Sequence, residues 1–190
     1  DFRYYEQMGQ EAPDFELAKI TTTFSDLLPE IVADLGVKRL GFESEHVTVD
    51  QLHTLGEATE GVEWRPVKET VEKLRTMKDE AEIDALRRSV ALNDEAFAHL
   101  LRVLKPGMTE LEAAWEIEAY MRTHGAKKVA FPVIFASGPN GALPHAQPGD
   151  RVIQEGDPIV IDMGCAVDGY CSDITRTICL GQPSDKYLAV

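Results

Sequence analysis

Two strand-like runs joined by a tight turn constrain the fold of this chain more than any other feature. The turn is Asp168-Gly169, a pair favoured in the two-residue type I′ loop of a β-hairpin. A loop of these two residues places Val167 opposite Tyr170 and fixes the register of every other pair along both strands. The sequence therefore predicts an antiparallel hairpin over residues 158–180.

The predicted register brings two aspartates together. Asp162 comes opposite Thr175, and Asp173 comes opposite Gly164. The two aspartates are then diagonal neighbours on one face of the sheet, roughly 7–8 Å apart at the backbone, so their carboxylates can converge on one point. A three-residue loop would instead place them on opposite faces.

A converging carboxylate pair favours a bound cation. Asp162 follows residues 159–161, an Ile-Val-Ile run typical of a buried strand, where an unpaired charge is costly. Two carboxylates also repel each other, and a divalent ion such as Mn²⁺ or Mg²⁺ offsets both costs. Thr175 and Thr177 share this face and are candidate hydrogen-bond donors to the ligands. The alternative is that one aspartate caps or pairs with Arg176 while the other lies at a solvated edge, since two carboxylates do not complete a site.

A Gly- and Pro-rich loop over residues 137–146 contains the other candidate residue, His145. It follows Pro144 and precedes Pro148-Gly149 by three residues, a context that restricts the backbone around it. A lone histidine in a loop is usually just exposed. His145 is therefore a candidate for binding or catalysis, with simple exposure as the alternative.

Composition narrows the function classes. The chain has 33 Asp plus Glu against 19 Lys plus Arg, a formal charge of −14, so nucleic acid and anionic membranes are unfavourable partners. Apolar residues make up 44 %, enough for a core, and no apolar run approaches the ~20 residues of a membrane span. Three cysteines within 15 residues give no disulfide framework and favour a reducing compartment. We expect an acidic, soluble, cytoplasmic protein whose cysteines are mostly small buried strand residues.

The first third of the chain alternates helix and strand patterns. One predicted helix ends at Gly36, and Pro29 indicates that this helix begins near residue 29. Thr48 and Gln51 have the spacing of a capping box that opens another helix. The pattern predicts a small α/β unit.

From about residue 76 the patterns are those of long helices and then of strands. One predicted helix has an apolar face of Ile83, Leu86, Val90, Phe97, Leu101 and Leu104, and a second carries Leu111, Ala114, Trp115 and Met121 on one side. The predicted fold class is α/β (α+β), with domains over residues 1–70 and 71–190. Because the chain starts at Asp1 without Met and stops at Val190 as a helix begins, we expect a piece of a longer protein.

Several motifs resemble those of one known family, the pita-bread metallopeptidases. The aspartates stand eleven positions apart, and His145 precedes Asp162 by 17 residues. The matching segments are Asp162-Met163-Gly164, Ser172-Asp173-Ile174-Thr175-Arg176-Thr177, Ser137-Gly138-Pro139-Asn140 and Leu143-Pro144-His145. Within the family they look closest to the Xaa-Pro aminopeptidase and prolidase branch. Residues 1–67 look like the C-terminal part of its creatinase-like N-terminal domain, and residues 70–190 like the first half of its catalytic domain.

The resemblance implies a reaction and a set of ligands. Asp162 would bind one metal ion through both oxygens, and Asp173 would bridge two divalent ions, manganese first, with cobalt or zinc as alternatives. A metal-bridging hydroxide would attack the peptide bond before proline in a peptide substrate, and His145 would hydrogen-bond the substrate. The family is often dimeric, so a homodimer is expected.

The resemblance also implies that this chain alone is incomplete. The family's remaining ligands, a histidine and two glutamates, correspond to positions after Val190, so the chain by itself is expected to be inactive. An Xaa-Pro aminopeptidase is the first expectation for the whole protein, and an Xaa-Pro dipeptidase (prolidase) is an alternative. A non-catalytic pita-bread binding module and a metal-free creatinase-type enzyme are further alternatives.

Overall fold

The computed structural model describes residues 4–189, except for the side chain of Lys186. Its contacts divide the chain into two compact units on either side of the Met77–Lys78 bond. The assignment of domains to residues 1–70 and 71–190 stays a prediction. Among the described residues, no helix is both long enough and apolar enough to cross a membrane.

The first unit contains a parallel two-stranded sheet with a helix in the crossover between its strands. Its elements are α1 (Tyr5–Glu11), α2 (Phe24–Asp34), β1 (Arg39–Glu43), α3 (Val49–Ala58), β2 (Glu63–Val67) and α4 (Thr70–Thr76). Strands β1 and β2 pair in parallel. The predicted capping box opens α3, with the Thr48 hydroxyl accepting from the Gln51 N–H at 3.2 Å and the Gln51 amide oxygen accepting from the Thr48 N–H at 2.9 Å.

Helix α2 starts earlier than predicted. It begins at Phe24 and contains Pro29, so a start near Pro29 was wrong. A capping box formed by Thr23 and Asp26 satisfies two backbone N–H groups at the start, and this outweighs the one helical hydrogen bond that proline cannot make. The predicted end is confirmed, because Gly36 follows the helix with a φ of 61°.

The second unit packs two long helices on two antiparallel sheets of three strands each. Its elements are α5 (Glu80–Val103), α6 (Glu110–Thr123), β3 (Lys128–Val129), β4 (Ile134–Ser137), a 3₁₀ helix (Gly138–Ala142), β5 (Pro158–Met163), β6 (Cys165–Val167), β7 (Tyr170–Cys171), β8 (Ile174–Cys179) and α7 (Asp185–Leu188). The strand orders are β4-β5-β8 and β3-β6-β7. Fully buried side chains of the core include Leu100, Ile117, Met121, Phe135, Ile159 and Ile161.

The buried faces of α5 and α6 differ from the predicted ones. On α5 the buried residues are Ala85, Ser89, Leu92, Asn93, Ala96 and Leu100. Two predicted face residues, Val90 and Leu101, are 47 % and 51 % exposed. On α6, Leu111 and Trp115 are exposed while Ala113 is buried. The prediction is confirmed for Ala114 and Met121, which are buried. It is wrong for the four exposed residues because small and polar side chains occupy part of each buried face, which an apolar periodicity does not reveal.

Candidate active site

The predicted hairpin is confirmed in both its turn and its register. Asp168 and Gly169 have φ values of 49° and 86°, the left-handed pair that a type I′ turn requires. Val167 pairs with Tyr170 next to the turn. Further along, Asp162 pairs with Thr175 in the same register. The two-residue loop therefore sets the pairing of the residues on the two arms.

Both arms of the hairpin change sheets at the same level. On one arm, β5 and β6 belong to different sheets and only Gly164 separates them. On the other, Ser172-Asp173 separates β7 from β8. A Cβ built on Gly164 would lie 2.1 Å from the Ser172 carbonyl oxygen, so any side chain there is sterically excluded. Asp173 therefore lies in the break itself, and Asp162 lies two residues before Gly164 on the other arm.

Asp162 has a neighbour that orients its carboxylate. The Asp162 side chain is half-buried on the face of β5 that alternates with the core-facing residues. The Thr175 hydroxyl donates a hydrogen bond of 2.8 Å to its Oδ1. Thr177 pairs with Val160 and so lies on the same face of β8, two pairs further from the break.

Among the described residues, neither aspartate is paired with a cationic side chain. Asp173 is exposed. Within the part of the chain that the structure describes, neither carboxylate forms an ion pair with a lysine, arginine or histidine. Arg176, the predicted alternative partner, instead donates to the Thr175 carbonyl oxygen at 3.0 Å. Among the described residues, Asp162 and Asp173 therefore make the region of the break locally negative.

This donor set fits part of a site for a divalent cation. Carboxylate oxygens are the ligands that Mn²⁺ and Mg²⁺ prefer, and the negative charge at the break favours a cation there. Over residues 4–189, no group of three or more His, Cys, Asp or Glu side chains has the geometry to hold an ion. Asp162 and Asp173 could therefore hold an ion only together with further ligands.

His145 lies exposed on the loop between β4 and β5. The loop begins with the 3₁₀ helix, and a turn closes next to His145, where the Ala146 N–H donates to the Leu143 carbonyl at 3.2 Å. Ala146 itself is buried and holds this turn against the unit. The turn therefore presents the imidazole outward on an anchored backbone.

A buried carboxylate that sequence reasoning missed fastens this loop at both ends. Glu110 is fully buried at the first position of α6. Its carboxylate accepts from the N–H and the hydroxyl of Ser137, both at 2.7 Å, and from the Asn140 amide at 3.1 Å. At the far end of the loop, the Gly149 N–H donates to it at 3.4 Å. In the sequence, Thr109 and Glu112 have the spacing of a capping box, but this spacing does not indicate that Glu110 points inward.

An ion pair supports the same loop from outside. The Arg151 guanidinium donates to the Ser137 hydroxyl at 2.6 Å and to Asp157 at 2.7 Å. Partial burial raises the pKa of the Asp157 carboxyl, but hydrogen bonds from Arg151 and from the Gln154 N–H outweigh that effect. The net pKa of Asp157 is therefore below its ordinary value of 3.8.

The Asp157 carboxyl should contribute to the acid sensitivity of the protein. A lowered folded-state pKa stabilises the fold above the unfolded pKa, and this contribution is lost as the pH falls through 3.8 and below. Replacing Asp157 by Asn should lower the free energy of unfolding at pH 7 and flatten its decline between about pH 5 and pH 3. Urea unfolding across this pH range measures both effects. The exposed Asp150→Asn is the control, and equal slopes for Asp157→Asn and the unmodified protein would contradict the assignment.

The three cysteines fall in different environments. Cys165 is buried, Cys179 is half-buried and Cys171 is exposed, so the expectation of burial was wrong for Cys171. All three thiols are free. The Cys165 thiol donates to the Ser89 carbonyl oxygen at 3.4 Å, which makes it part of the packing behind the break in the hairpin.

Comparison with known proteins gives the family. The model of "Metallopeptidase family M24" matches residues 84–190, and that of "Creatinase/Prolidase N-terminal domain" matches residues 1–77. An uncharacterised peptidase, YqhT, of Bacillus subtilis is 40 % identical over 186 residues, which are 98 % of this chain and 53 % of that protein. The chain spans about half the length of the curated relatives it matches.

Solved structures agree with these matches. An Xaa-Pro dipeptidase from Bacillus anthracis has a TM-score of 0.91 at 40 % identity, covering all of this chain and 53 % of that one. An X-Pro aminopeptidase from Thermotoga maritima has a TM-score of 0.88 at 37 % identity, covering all of this chain and 54 % of that one. The expected fold, a creatinase-like region followed by half of a pita-bread domain, is confirmed. With its hairpin aspartates and its loop histidine in the matched region, the chain belongs to metallopeptidase family M24.

Proposed function

We propose that the whole protein is a metal-dependent exopeptidase that hydrolyses the bond between an N-terminal residue and proline. The observation that carries this proposal is the register of the hairpin, in which Asp162 and Asp173 lie at or near one break and have no cationic partner among the described residues. Membership of family M24 supports a metal-assisted hydrolysis. The non-catalytic alternatives do not account for two carboxylates at this break that have no cationic partner among the described residues.

Asp162 and Asp173 would hold two divalent ions, with manganese the first choice and cobalt or zinc the alternatives. When bound, such ions polarise the scissile carbonyl and lower the pKa of water. The hydrogen bond from Thr175 occupies one lone pair of Asp162 Oδ1 and fixes the carboxylate plane, so the remaining lone pairs are oriented before an ion arrives. Thr177 is proposed as a further donor on the same face.

His145 would contact the substrate. Its exposed imidazole can donate a ring N–H to a carbonyl oxygen, and the anchored turn limits the orientations available to it. Glu110 fixes the two ends of the loop, so the position of the imidazole depends on a buried carboxylate that does not itself reach the solvent. The histidine therefore supplies a hydrogen bond in a predetermined direction.

Aminopeptidase action on longer peptides is the first proposal for substrate length, and the Thermotoga maritima relative is named for that activity. Dipeptidase action is the second, because the Bacillus anthracis structure and a Pyrococcus horikoshii relative are named Xaa-Pro dipeptidases.

We also propose a cytoplasmic homodimer, in keeping with the free thiols and with the resemblance to the family.

The test uses the whole protein with saturating Mn²⁺ and three peptides. We expect hydrolysis of Ala-Pro and of Ala-Pro-Phe, each at its first bond, and no hydrolysis of Ala-Ala-Phe. Hydrolysis of Ala-Pro alone would assign the dipeptidase activity instead. Saturable Mn²⁺ binding without any hydrolysis would favour a binding module, and absence of saturable Mn²⁺ binding would overturn the metallopeptidase proposal.

A further inference from the structure

Helix α5 presents two buried polar side chains to the break in the hairpin. Ser89 and Asn93 lie one helical turn apart and are 0 % and 2 % exposed. They occupy positions where an ordinary core helix carries apolar residues. Their burial means that each has to find hydrogen-bond partners inside the protein.

The partners lie on either side of Gly164. The Asn93 amide donates to the Met163 carbonyl oxygen at 3.2 Å, and the Ser89 hydroxyl donates to the Cys165 carbonyl oxygen at 2.8 Å. These are the two residues that flank the point where the strand leaves one sheet for the other. One helix face therefore fixes the backbone on both sides of the break.

The same contacts reach the opposite arm. The Cys165 N–H donates to the Ser172 hydroxyl at 3.1 Å, and the Ser172 N–H donates to the Cys165 carbonyl at 2.9 Å. Ser172 is buried and directly precedes Asp173, and Met163 directly follows Asp162. Asp162 thus precedes Met163, whose carbonyl oxygen accepts a hydrogen bond from α5 directly. Asp173 follows Ser172, which is bonded to Cys165, and Cys165 in turn accepts a hydrogen bond from α5.

Stability alone does not account for Asn93. Its side-chain Oδ1 is buried and, among the described residues, has no hydrogen-bond partner. A buried acceptor without a partner lowers the free energy of unfolding. A side chain whose amide donates but whose carbonyl oxygen has no partner therefore stabilises the core less than an apolar residue of the same size. What Asn93 does supply is a donor directed at the Met163 carbonyl.

We propose that Ser89 and Asn93 are positioning residues that hold the break in the hairpin and thereby set the separation of the Asp162 and Asp173 carboxylates. This inference rests on the proposed metal-binding function. Neither side chain touches the reacting groups, so their effect on the site is exerted through the backbone of residues 163–165 and 172.

The first test measures Mn²⁺ affinity of the whole protein by calorimetry, independently of turnover. Asn93→Leu keeps a similar side-chain volume and removes the donor to Met163. We expect its Mn²⁺ dissociation constant to rise by about 10- to 100-fold, the usual effect of losing a group that orients metal ligands. Ser89→Ala should have a smaller effect, less than about tenfold, because the Cys165 carbonyl keeps its bond from Ser172.

The matched control is Ile117→Val on α6. Ile117 is fully buried in the same core, and its truncation weakens packing without removing a polar contact to the break. We expect Ile117→Val to unfold at a lower urea concentration but to retain normal Mn²⁺ affinity. If it loses affinity as much as Asn93→Leu does, the effect of Asn93 is general destabilisation and the positioning role is wrong.

A second measurement needs no metal. Hydrogen exchange of the Cys165 N–H should be faster in Ser89→Ala and in Asn93→Leu than in Ile117→Val, because this N–H reports on the contact across the break. If Asn93→Leu does not fold, Ser89→Ala alone decides the question. Unchanged exchange and unchanged affinity in the folded variants would overturn the inference, whereas failure of the unmodified protein to bind Mn²⁺ would overturn the proposed function and the inference together.

Discussion

Replacing Asp173 by alanine in the whole protein should reduce the proposed Xaa-Pro hydrolysis to less than about a tenth of normal, because the break in the hairpin would then offer the proposed pair of ions a single carboxylate. Asp173 directly follows buried Ser172, whose carbonyl oxygen faces Gly164, and the hairpin's remaining carboxylate, Asp168, lies at the turn. Initial rates with Ala-Pro at saturating Mn²⁺ measure the effect, and bound metal per protomer measures its cause.

Asp168→Asn is the matched control for this loss. Asp168 lies on the same hairpin, is exposed, and has a φ of 49° that asparagine tolerates. Its carboxylate pairs with Arg88 rather than with the proposed centre. We expect normal activity and metal content from Asp168→Asn. Turnover of Asp173→Ala above about a tenth of normal with full metal content would contradict the bridging role.

The hairpin could be predicted from sequence because its determinants are local. Asp168 and Gly169 favour left-handed backbone conformations, and the loop length then fixes the pairing of Asp162 with Thr175 six pairs away from the turn. The break at Gly164 was not predicted. It depends on contacts with α5, which lies 70 or more residues away in the chain. It also depends on the Ser172 carbonyl, which lies eight residues from Gly164.

Two buried positions of α5 could not be predicted because their burial depends on hydrogen bonding rather than on hydrophobicity. Ser89 and Asn93 are buried since strand carbonyls accept their hydrogen bonds, while Val90 remains exposed. An apolar pattern assigns a polar residue to the solvent unless its partner is known. For the same reason the pattern missed Glu110, whose partners come from a loop that begins 27 residues later.

Glu110 also gives the largest expected effect on stability. Glu110→Ala removes a carboxylate that accepts from Ser137, Asn140 and Gly149, and leaves their buried or half-buried donors without that acceptor. We expect the free energy of unfolding to fall by about 3 kcal/mol, since each unsatisfied buried donor carries a desolvation cost that a small side chain cannot offset. Urea unfolding measures the loss.

Glu112→Ala separates this effect from the ordinary cost of removing an acidic residue from the start of α6. Glu112 is two positions further along the same helix and is exposed, and among the described residues its carboxylate accepts only from the Thr109 N–H, at 2.9 Å. Losing that cap should cost no more than about 1 kcal/mol. If the two variants lose the same stability, Glu110 acts as a helix-terminal charge. If Glu110→Ala loses much more stability and also binds Ala-Pro more weakly, the loop that presents His145 depends on this buried carboxylate. If its Mn²⁺ affinity is unchanged, the aspartates are held by α5 and do not depend on Glu110.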